Sequence, residues 1–140
     1  RGLAGFLGSC TIPVLGICLG MQILYELSDE GNTPCLGVVR GKIRKLRAPK
    51  VPHMGWNQVE FIHDNPLSRG IGQQSYFYFA HSYVADVDGA TIATARHGGS
   101  FTAAMMTGNY FGVQFHPEKS GNDGLRILKN FEATCGSSRQ

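Results

Sequence analysis

Pro13-Val14-Leu15-Gly16-Ile17-Cys18-Leu19-Gly20-Met21-Gln22 is the stretch from which the fold can be read. Val14, Leu15 and Ile17 are apolar on both sides of the pleat, which suits a strand covered on both faces, as in a parallel α/β sheet. Gly16 and Gly20 stand two residues either side of Cys18. That is a G-x-C-x-G form of the nucleophile elbow, in which small neighbours let the chain turn sharply and leave the apex side chain accessible. Leu19, Ile23, Leu24 and Leu27 then recur at helical spacing and predict a helix that starts at the elbow. Cys18 at a helix N-terminus would meet unpaired N–H groups and the positive end of the dipole, which favour thiolate. The Leu19 N–H is the first candidate donor to an oxyanion formed there.

A second stretch, Phe115-His116-Pro117-Glu118-Lys119-Ser120, follows the last expected strand, Tyr110 to Phe115. Sites in open α/β sheets gather at the carboxyl ends of strands, so Cys18 and His116 fall on one rim. A cysteine nucleophile needs a base to form thiolate and an acid to protonate the leaving group, and a histidine does both near neutral pH. Glu118 stands close enough to orient the imidazole, and Pro117 stiffens the link. Taken singly, a buried cysteine, a loop histidine and a helix-capping carboxylate are ordinary features. Together on one rim they form a Cys-His-Glu triad.

The 140 residues suffice for one domain with its own core. A net charge of +3 gives no case for a nucleic-acid partner. The basic run Arg40, Lys42, Arg44, Lys45, Arg47 and Lys50 reads as a solvated strand and loop in preference to a phosphate-facing surface. Cys10, Cys18, Cys35 and Cys135 show neither CxxC pairing nor zinc spacing, so no metal is expected. With no signal peptide and no apolar run of membrane-spanning length, a reducing, cytoplasmic setting is the default expectation.

Arg1 to Leu7 reads as the end of a helix that feeds the Val14 strand. Asp29 to Pro34 is turn chemistry, and Gly41 to Leu46 alternates like an edge strand. Ala48 to Gly55 is expected to be a loop that continues through Trp56 and Asn57, with a brief strand at Gln58 to Ile62. Ser75 to Val84 is a long aromatic strand. Thr91–Arg96 and Phe101–Met106 form a hairpin around His97 to Ser100. Gly121 to Glu132 is a closing helix with Leu125, Leu128 and Phe131 on one face and Asn122 as cap, before a frayed tail. The fold class is therefore α/β and layered, with an antiparallel insertion.

The elbow Gly16-Ile17-Cys18-Leu19-Gly20-Met21-Gln22 and His116-Pro117-Glu118 resemble the class I, triad-type glutamine amidotransferases. Within that family, Pro52-His53-Met54-Gly55-Trp56-Asn57, Phe79-Ala80-His81-Ser82-Tyr83 and Lys119-Ser120 resemble the amidotransferase subunits of imidazole glycerol phosphate synthases. The resemblance implies glutamine hydrolysis through a thioester on Cys18, with His116 as base then acid and Glu118 orienting it. It implies that Gln22, Ser82 and Tyr83 hold the substrate and that no cofactor takes part. Ammonia would pass to a (β/α)8 cyclase subunit in a heterodimer, with Met54, Trp56 and Asn57 at the interface; an exposed tryptophan suits such an anchor. The fold that the resemblance implies is three-layered, with a mostly parallel, flavodoxin-like sheet flanked by helices, the antiparallel insertion being short. The resemblance further implies that strands of the sheet, and a glycine-rich loop with a second oxyanion donor, precede Arg1. Residues 1–140 would then be the C-terminal portion of one glutaminase domain, poorly stable and weakly active alone. Two rivals remain. One is another triad subunit, such as an anthranilate or aminodeoxychorismate synthase component, against which His53 to Asn57 and Lys119-Ser120 argue. The other is a catalytically impaired partner-binding subunit, against which the intact Cys18, His116 and Glu118 argue.

Overall fold

The computed structural model describes residues 11–138. The helix end expected at Arg1 to Leu7 lies outside them, as does Cys10. The first strand, β1 (Val14–Ile17), runs straight into the elbow and a one-turn helix, α1 (Leu19–Gln22). Two short strands, β2 (Leu27–Ser28) and β3 (Thr33–Pro34), flank a 3₁₀ turn. Then follow β4 (Lys42–Lys45), β5 (His53–Phe61), β6 (Gln74–His81), β7 (Tyr83–Ala85), β8 (Thr91–Arg96), β9 (Ser100–Thr107) and β10 (Tyr110–Val113). The long helix α2 (Gly121–Ser138) closes the described chain.

The strands form a six-stranded sheet in the order β1-β10-β9-β8-β5-β6 and a four-stranded sheet in the order β3-β2-β4-β7. The α/β class holds, but among the described residues the sheet is mixed and mostly antiparallel, not mostly parallel. Within the six-stranded sheet only β1 and β10 pair in parallel, and every other pairing is antiparallel. The reason lies in the connections: a parallel neighbour needs a crossover back to the same end of the sheet, whereas β5 returns as β6 through a loop holding a 3₁₀ turn and β8, β9 and β10 follow one another through tight turns. What reads in sequence as an insertion is most of the described sheet. The parallel pair of the larger sheet is the one that matters for the site, because it sets Cys18 and His116 past the same ends of adjacent strands; the other parallel pair among the described strands, β2 with β4, lies in the small sheet.

Side chains explain the layers. Strand β6 turns Ser75, Phe77, Phe79 and His81 inward and leaves Gln74 and Tyr76 exposed, the period-2 pattern of a sheet with one face covered. Phe77 stacks on Phe115 at 4.2 Å, and Val59, Phe101, Val113 and Ile127 join the same core. A second cluster joins Met21, Leu24 and Tyr25 to Ile43 of the small sheet and to Met105 and Tyr110 of the large one. Leu24 and Tyr25 thus fill a core without forming the longer helix that their spacing predicts, and Leu27 belongs to β2. Met54 to Asn57 is likewise strand, paired along β6, and not loop. The basic run is a solvated surface strand, as expected, with Lys42 on Asp29 and Arg44 on Asp86.

Helix α2 buries Gly124 and Ile127 and half-buries Leu128 and Phe131, while Leu125 is half exposed. Leu128 and Phe131 lie on the packed face as expected, Leu125 does not, and Gly124 and Ile127 complete that face. Asn122 is not the cap: the Gly124 N–H bonds back to the Ser120 carbonyl at 3.2 Å, and the chain enters the helix through Gly121 at a φ of +64°. A Cβ on Gly124 would collide with the Pro117 carbonyl and lie 2.8 Å from Ser120 Cβ, so the helix rests directly on the turn that carries Glu118. Gly124→Ala is therefore expected to cost about 1–3 kcal/mol through overpacking in urea denaturation of the complete subunit. An unchanged midpoint would contradict this packing.

Candidate active site

Strand β1 delivers Cys18 at φ +55°, ψ −108°, a conformation that costs a non-glycine residue about 1–3 kcal/mol. Three contacts hold it. The Cys18 N–H donates to the Val113 carbonyl of β10 at 2.8 Å, and the N–H groups of Met21 and Gln22 close back on the Cys18 carbonyl at 3.1 and 3.2 Å. The two motif glycines are unequal. A Cβ at Gly16 would drive into the Gly20 carbonyl group, whereas one at Gly20 meets nothing within 4 Å. Gly16 pairs with Gly112 of β10, where a Cβ would come 2.7 Å from Met21. The elbow thus sits on a flat spot made by two paired glycines.

Burial pushes the Cys18 thiol up, and the Glu118 charge adds to this; the Leu19 N–H and the Gln114 amide pull the other way and are outweighed. The thiolate expected from a helix terminus is not the resting form, because α1 is a single turn and burial dominates. The sulfur lies 3.8 Å from the Ala80 carbonyl and receives the Gln114 Nε2 at 3.6 Å.

The His116–Glu118 pair is formed, with Nδ1 to Oε2 at 2.8 Å. The His116 N–H bonds the Tyr78 carbonyl at 2.9 Å. Ser120 Oγ donates to the His116 carbonyl at 2.6 Å and accepts the Tyr78 N–H at 2.9 Å. One buried hydroxyl therefore ties the His-Pro-Glu turn to β6. Burial pushes the Glu118 carboxyl up, but its own N–H, the His116 ring and Lys119 outweigh that and leave it below the usual carboxylate value. It is a carboxylate near pH 7, and with Nδ1 facing it the His116 Nε2 is left for proton transfer.

Gln22 is buried, and its Nε2 donates to the Tyr83 carbonyl and to Gln114 Oε1, both at 3.0 Å. With both amide hydrogens used, it has only Oε1 to offer a ligand. Ser82 marks the break between β6 and β7, with Tyr83 after it. A groove of 250 Å³ lined by Leu19, Gln22, Ile23, Ser28, Glu30, Thr33 and Cys35 opens beside the elbow. A larger hollow of 470 Å³, lined by Asp64, Asn65, Pro66, Ser68 and Arg69, contains neither Cys18 nor His116. Met54 and Trp56 are 63% and 57% exposed. Asn57 does not share their face. Strand alternation turns it inward, to His53 Nε2 at 3.2 Å and the Arg96 carbonyl at 2.8 Å. Sequence reasoning missed Gln114, Gly112 and the His53–His81 pair. Both histidines stand in quoted motifs and Gln114 directly precedes Phe115-His116, but nothing in the sequence pairs His53 with His81 or aims Gln114 at Cys18.

The family model for glutamine amidotransferase class-I matches residues 4–134. The chain belongs to the class I glutamine amidotransferase family. It is 46% identical over 133 residues to the imidazole glycerol phosphate synthase subunit HisH of Haemophilus influenzae, covering 94% of this chain and 67% of that one. It is 51% identical over 134 residues to HisH of Pectobacterium atrosepticum, covering 94% and 68%. It spans about two thirds of the length of these relatives. Among solved structures, a putative GMP synthase component from Thermoplasma acidophilum matches with a TM-score of 0.75 at 19% identity, covering 99% of this chain and 64% of that one. This likeness shows that the amidotransferase fold is shared.

Burial lowers His53 and His81, each to about 4; next to it, His81 and His97 repel a charge on His53, and His97 and His116 repel one on His81 against the pull of the Tyr83 carbonyl. Unfolded histidine titrates near 6.5. Between 6.5 and about 4 the unfolded chain therefore binds more protons than the amidotransferase fold does, and stability falls as pH falls through that window. The urea midpoint of the complete subunit is expected to drop between pH 7 and pH 4.5, and to drop less in His53→Asn. A flat midpoint in the wild-type protein would contradict the buried neutral pair.

Proposed function

We infer that this chain hydrolyses glutamine to glutamate and ammonia for the synthesis of imidazole glycerol phosphate in histidine biosynthesis, as the glutaminase part of a two-subunit synthase. The observation that carries the inference is the oriented His116–Glu118 pair past the same strand ends as the Cys18 elbow. It occurs in a chain about half identical to the HisH subunits.

Because burial keeps the Cys18 thiol protonated, attack needs a base. His116 Nε2 takes the proton, and Glu118 holds the resulting imidazolium through Nδ1–H. The sulfur adds to the γ-carboxamide carbon of glutamine. The oxyanion so formed takes a hydrogen bond from the Leu19 N–H. On collapse the C–N bond breaks, and His116 gives its proton to the departing nitrogen as ammonia. Water, deprotonated by His116, then adds to the thioester. The C–S bond breaks, glutamate leaves, and Cys18 recovers its proton. Gln22 Oε1 accepts from the substrate's α-ammonium group, with Ser82 and Tyr83 beside it.

The partner is a (β/α)8 cyclase subunit that combines the ammonia with a phosphoribosyl intermediate, giving imidazole glycerol phosphate and an aminoimidazole carboxamide ribotide. Transfer between subunits suits the chemistry, since ammonia in water at neutral pH is mostly ammonium and not nucleophilic. The docking face is the outer side of β5 and β6, where Met54 and Trp56 stand beside Tyr76 and Tyr78, with Trp56 as anchor. Asn57 belongs to the inner side. The setting is cytoplasmic.

The test is ammonia release from glutamine by the complete subunit with cyclase and the cyclase ligand. Cys18→Ala is expected to abolish it, and Glu118→Gln to lower kcat by about 10²–10⁴-fold. Trp56→Ala, checked for folding by circular dichroism, is expected to weaken cyclase binding by at least about tenfold. Full activity in Cys18→Ala would refute the mechanism, and unchanged affinity in Trp56→Ala would refute the anchor.

A further inference from the structure

Two buried histidines outside the proposed triad are joined to its sulfur by an unbroken chain of hydrogen bonds. The chain starts at Asn57, whose amide orientation is fixed twice. Its Nδ2 donates to the Arg96 carbonyl at 2.8 Å, and its Oδ1 accepts the Gln58 N–H at 2.7 Å. The same Nδ2 faces His53 Nε2 at 3.2 Å, so that nitrogen accepts. The His53 proton therefore sits on Nδ1, which donates to His81 Nε2 at 2.9 Å. The His81 proton is then on Nδ1, which donates to the Tyr83 carbonyl at 3.0 Å. A carbonyl can only accept, so the far end demands the same polarity that the Asn57 end imposes.

The Tyr83 carbonyl also receives Gln22 Nε2, whose second hydrogen goes to Gln114 Oε1. That bond orients the Gln114 amide and turns its Nε2 toward Cys18 Sγ. Reversing any member would set two donors or two acceptors face to face in a buried setting, at the full cost of unsatisfied polar groups.

We propose that His53 and His81 are positioning residues for Cys18: their hydrogen-bond chain, which meets the Gln22 donor at the Tyr83 carbonyl, holds that carbonyl, Gln22 and Gln114 in the arrangement that presents an N–H to the sulfur. The proposal rests on the functional reading only for the meaning of Cys18 as nucleophile. The chain itself is geometric. Its effect is one hydrogen bond to the sulfur, from Gln114, which joins the Leu19 N–H in favouring the thiolate against the burial and the Glu118 carboxylate that oppose it; His116 is the other titratable group that serves this site. His97 supplies an internal control. It stacks on His53 at 4.3 Å, but its Nε2 donates to the Lys50 carbonyl, outside the chain.

The experiment measures the rate of Cys18 alkylation by iodoacetamide as a function of pH, resolved by peptide mass spectrometry, in the complete subunit. His81→Leu removes the donor to Tyr83, whereas His81→Asn keeps an N–H near the Nδ1 position. His53→Phe keeps the ring that stacks on Phe79 and His97 but donates nothing. The alkylation midpoint is expected to rise by about half a pH unit or more in His81→Leu and His53→Phe, the scale of one weak hydrogen bond to a thiolate. It is expected to return toward wild type in His81→Asn and to stay unchanged in His97→Phe. Unmoved midpoints in both His81→Leu and His53→Phe would overturn the proposal. So would an equal rise in His97→Phe, which would assign the effect to packing. Circular dichroism reports folding, and if His81→Leu does not fold, His53→Phe against His97→Phe decides. Glutamine turnover by the wild-type subunit with its cyclase is measured in parallel. Its absence would sink the functional reading and leave the alkylation result to judge the chain.

Discussion

Backbone rests on backbone where the elbow crosses β1 and β10, and the site depends on that contact. Gly16 and Gly112 face each other in the parallel pair, and side chains on them would meet the Gly20 carbonyl group and Met21. Their bareness lets α1 lie directly on the sheet. From this follow the unusual backbone of Cys18, the direction of the Leu19 N–H toward the sulfur, and the entry of Gln22 into the interior. The strain at Cys18 is offset by bonds to Val113 on one side and to Met21 and Gln22 on the other.

The second half of the site is fixed by a different device. The turn at His116 is bound to β6 through the Tyr78 carbonyl and the Ser120 hydroxyl, and α2 presses on it through Gly124. The histidine is therefore anchored by its backbone, while its ring remains free to exchange a proton. Burial makes the thiol reluctant to ionise, and a partly exposed carboxylate keeps its charge beside the imidazole. That division of environments suits a histidine that must first take a proton and then give it away.

The chemistry was legible because it sits in contiguous motifs. Gly16 to Gly20 and His116 to Ser120 could be read as turns that end strands, and a parallel relation between those strands set them on one rim. The sheet as a whole was less legible. Strand direction depends on how the chain returns, and the returns between His53 and Val113, one through a loop with a 3₁₀ turn and two through tight turns, are not revealed by periodicity alone. Met54 to Asn57 was masked by neighbouring prolines and glycines, although its alternation of exposed and buried residues is that of a strand. Helical spacing after Cys18 misled for a related reason: Leu24 and Tyr25 are apolar because they fill a core, not because they line a helix face. The His53–His81 pair was invisible, since it arises only when β5 and β6 align in register.

Under the proposed function, Cys18 alone among the described thiols attacks the γ-carboxamide. Cys35 and Cys135 are partly accessible as well, so accessibility does not distinguish them. The decisive measurement is peptide-resolved labelling of the complete subunit, bound to its cyclase, by a glutamine-like electrophile. Modification confined to Cys18, slowed sharply by His116→Ala and blocked by excess glutamine, is the outcome this account requires. Labelling spread evenly over Cys18, Cys35 and Cys135, and indifferent to His116, would contradict it.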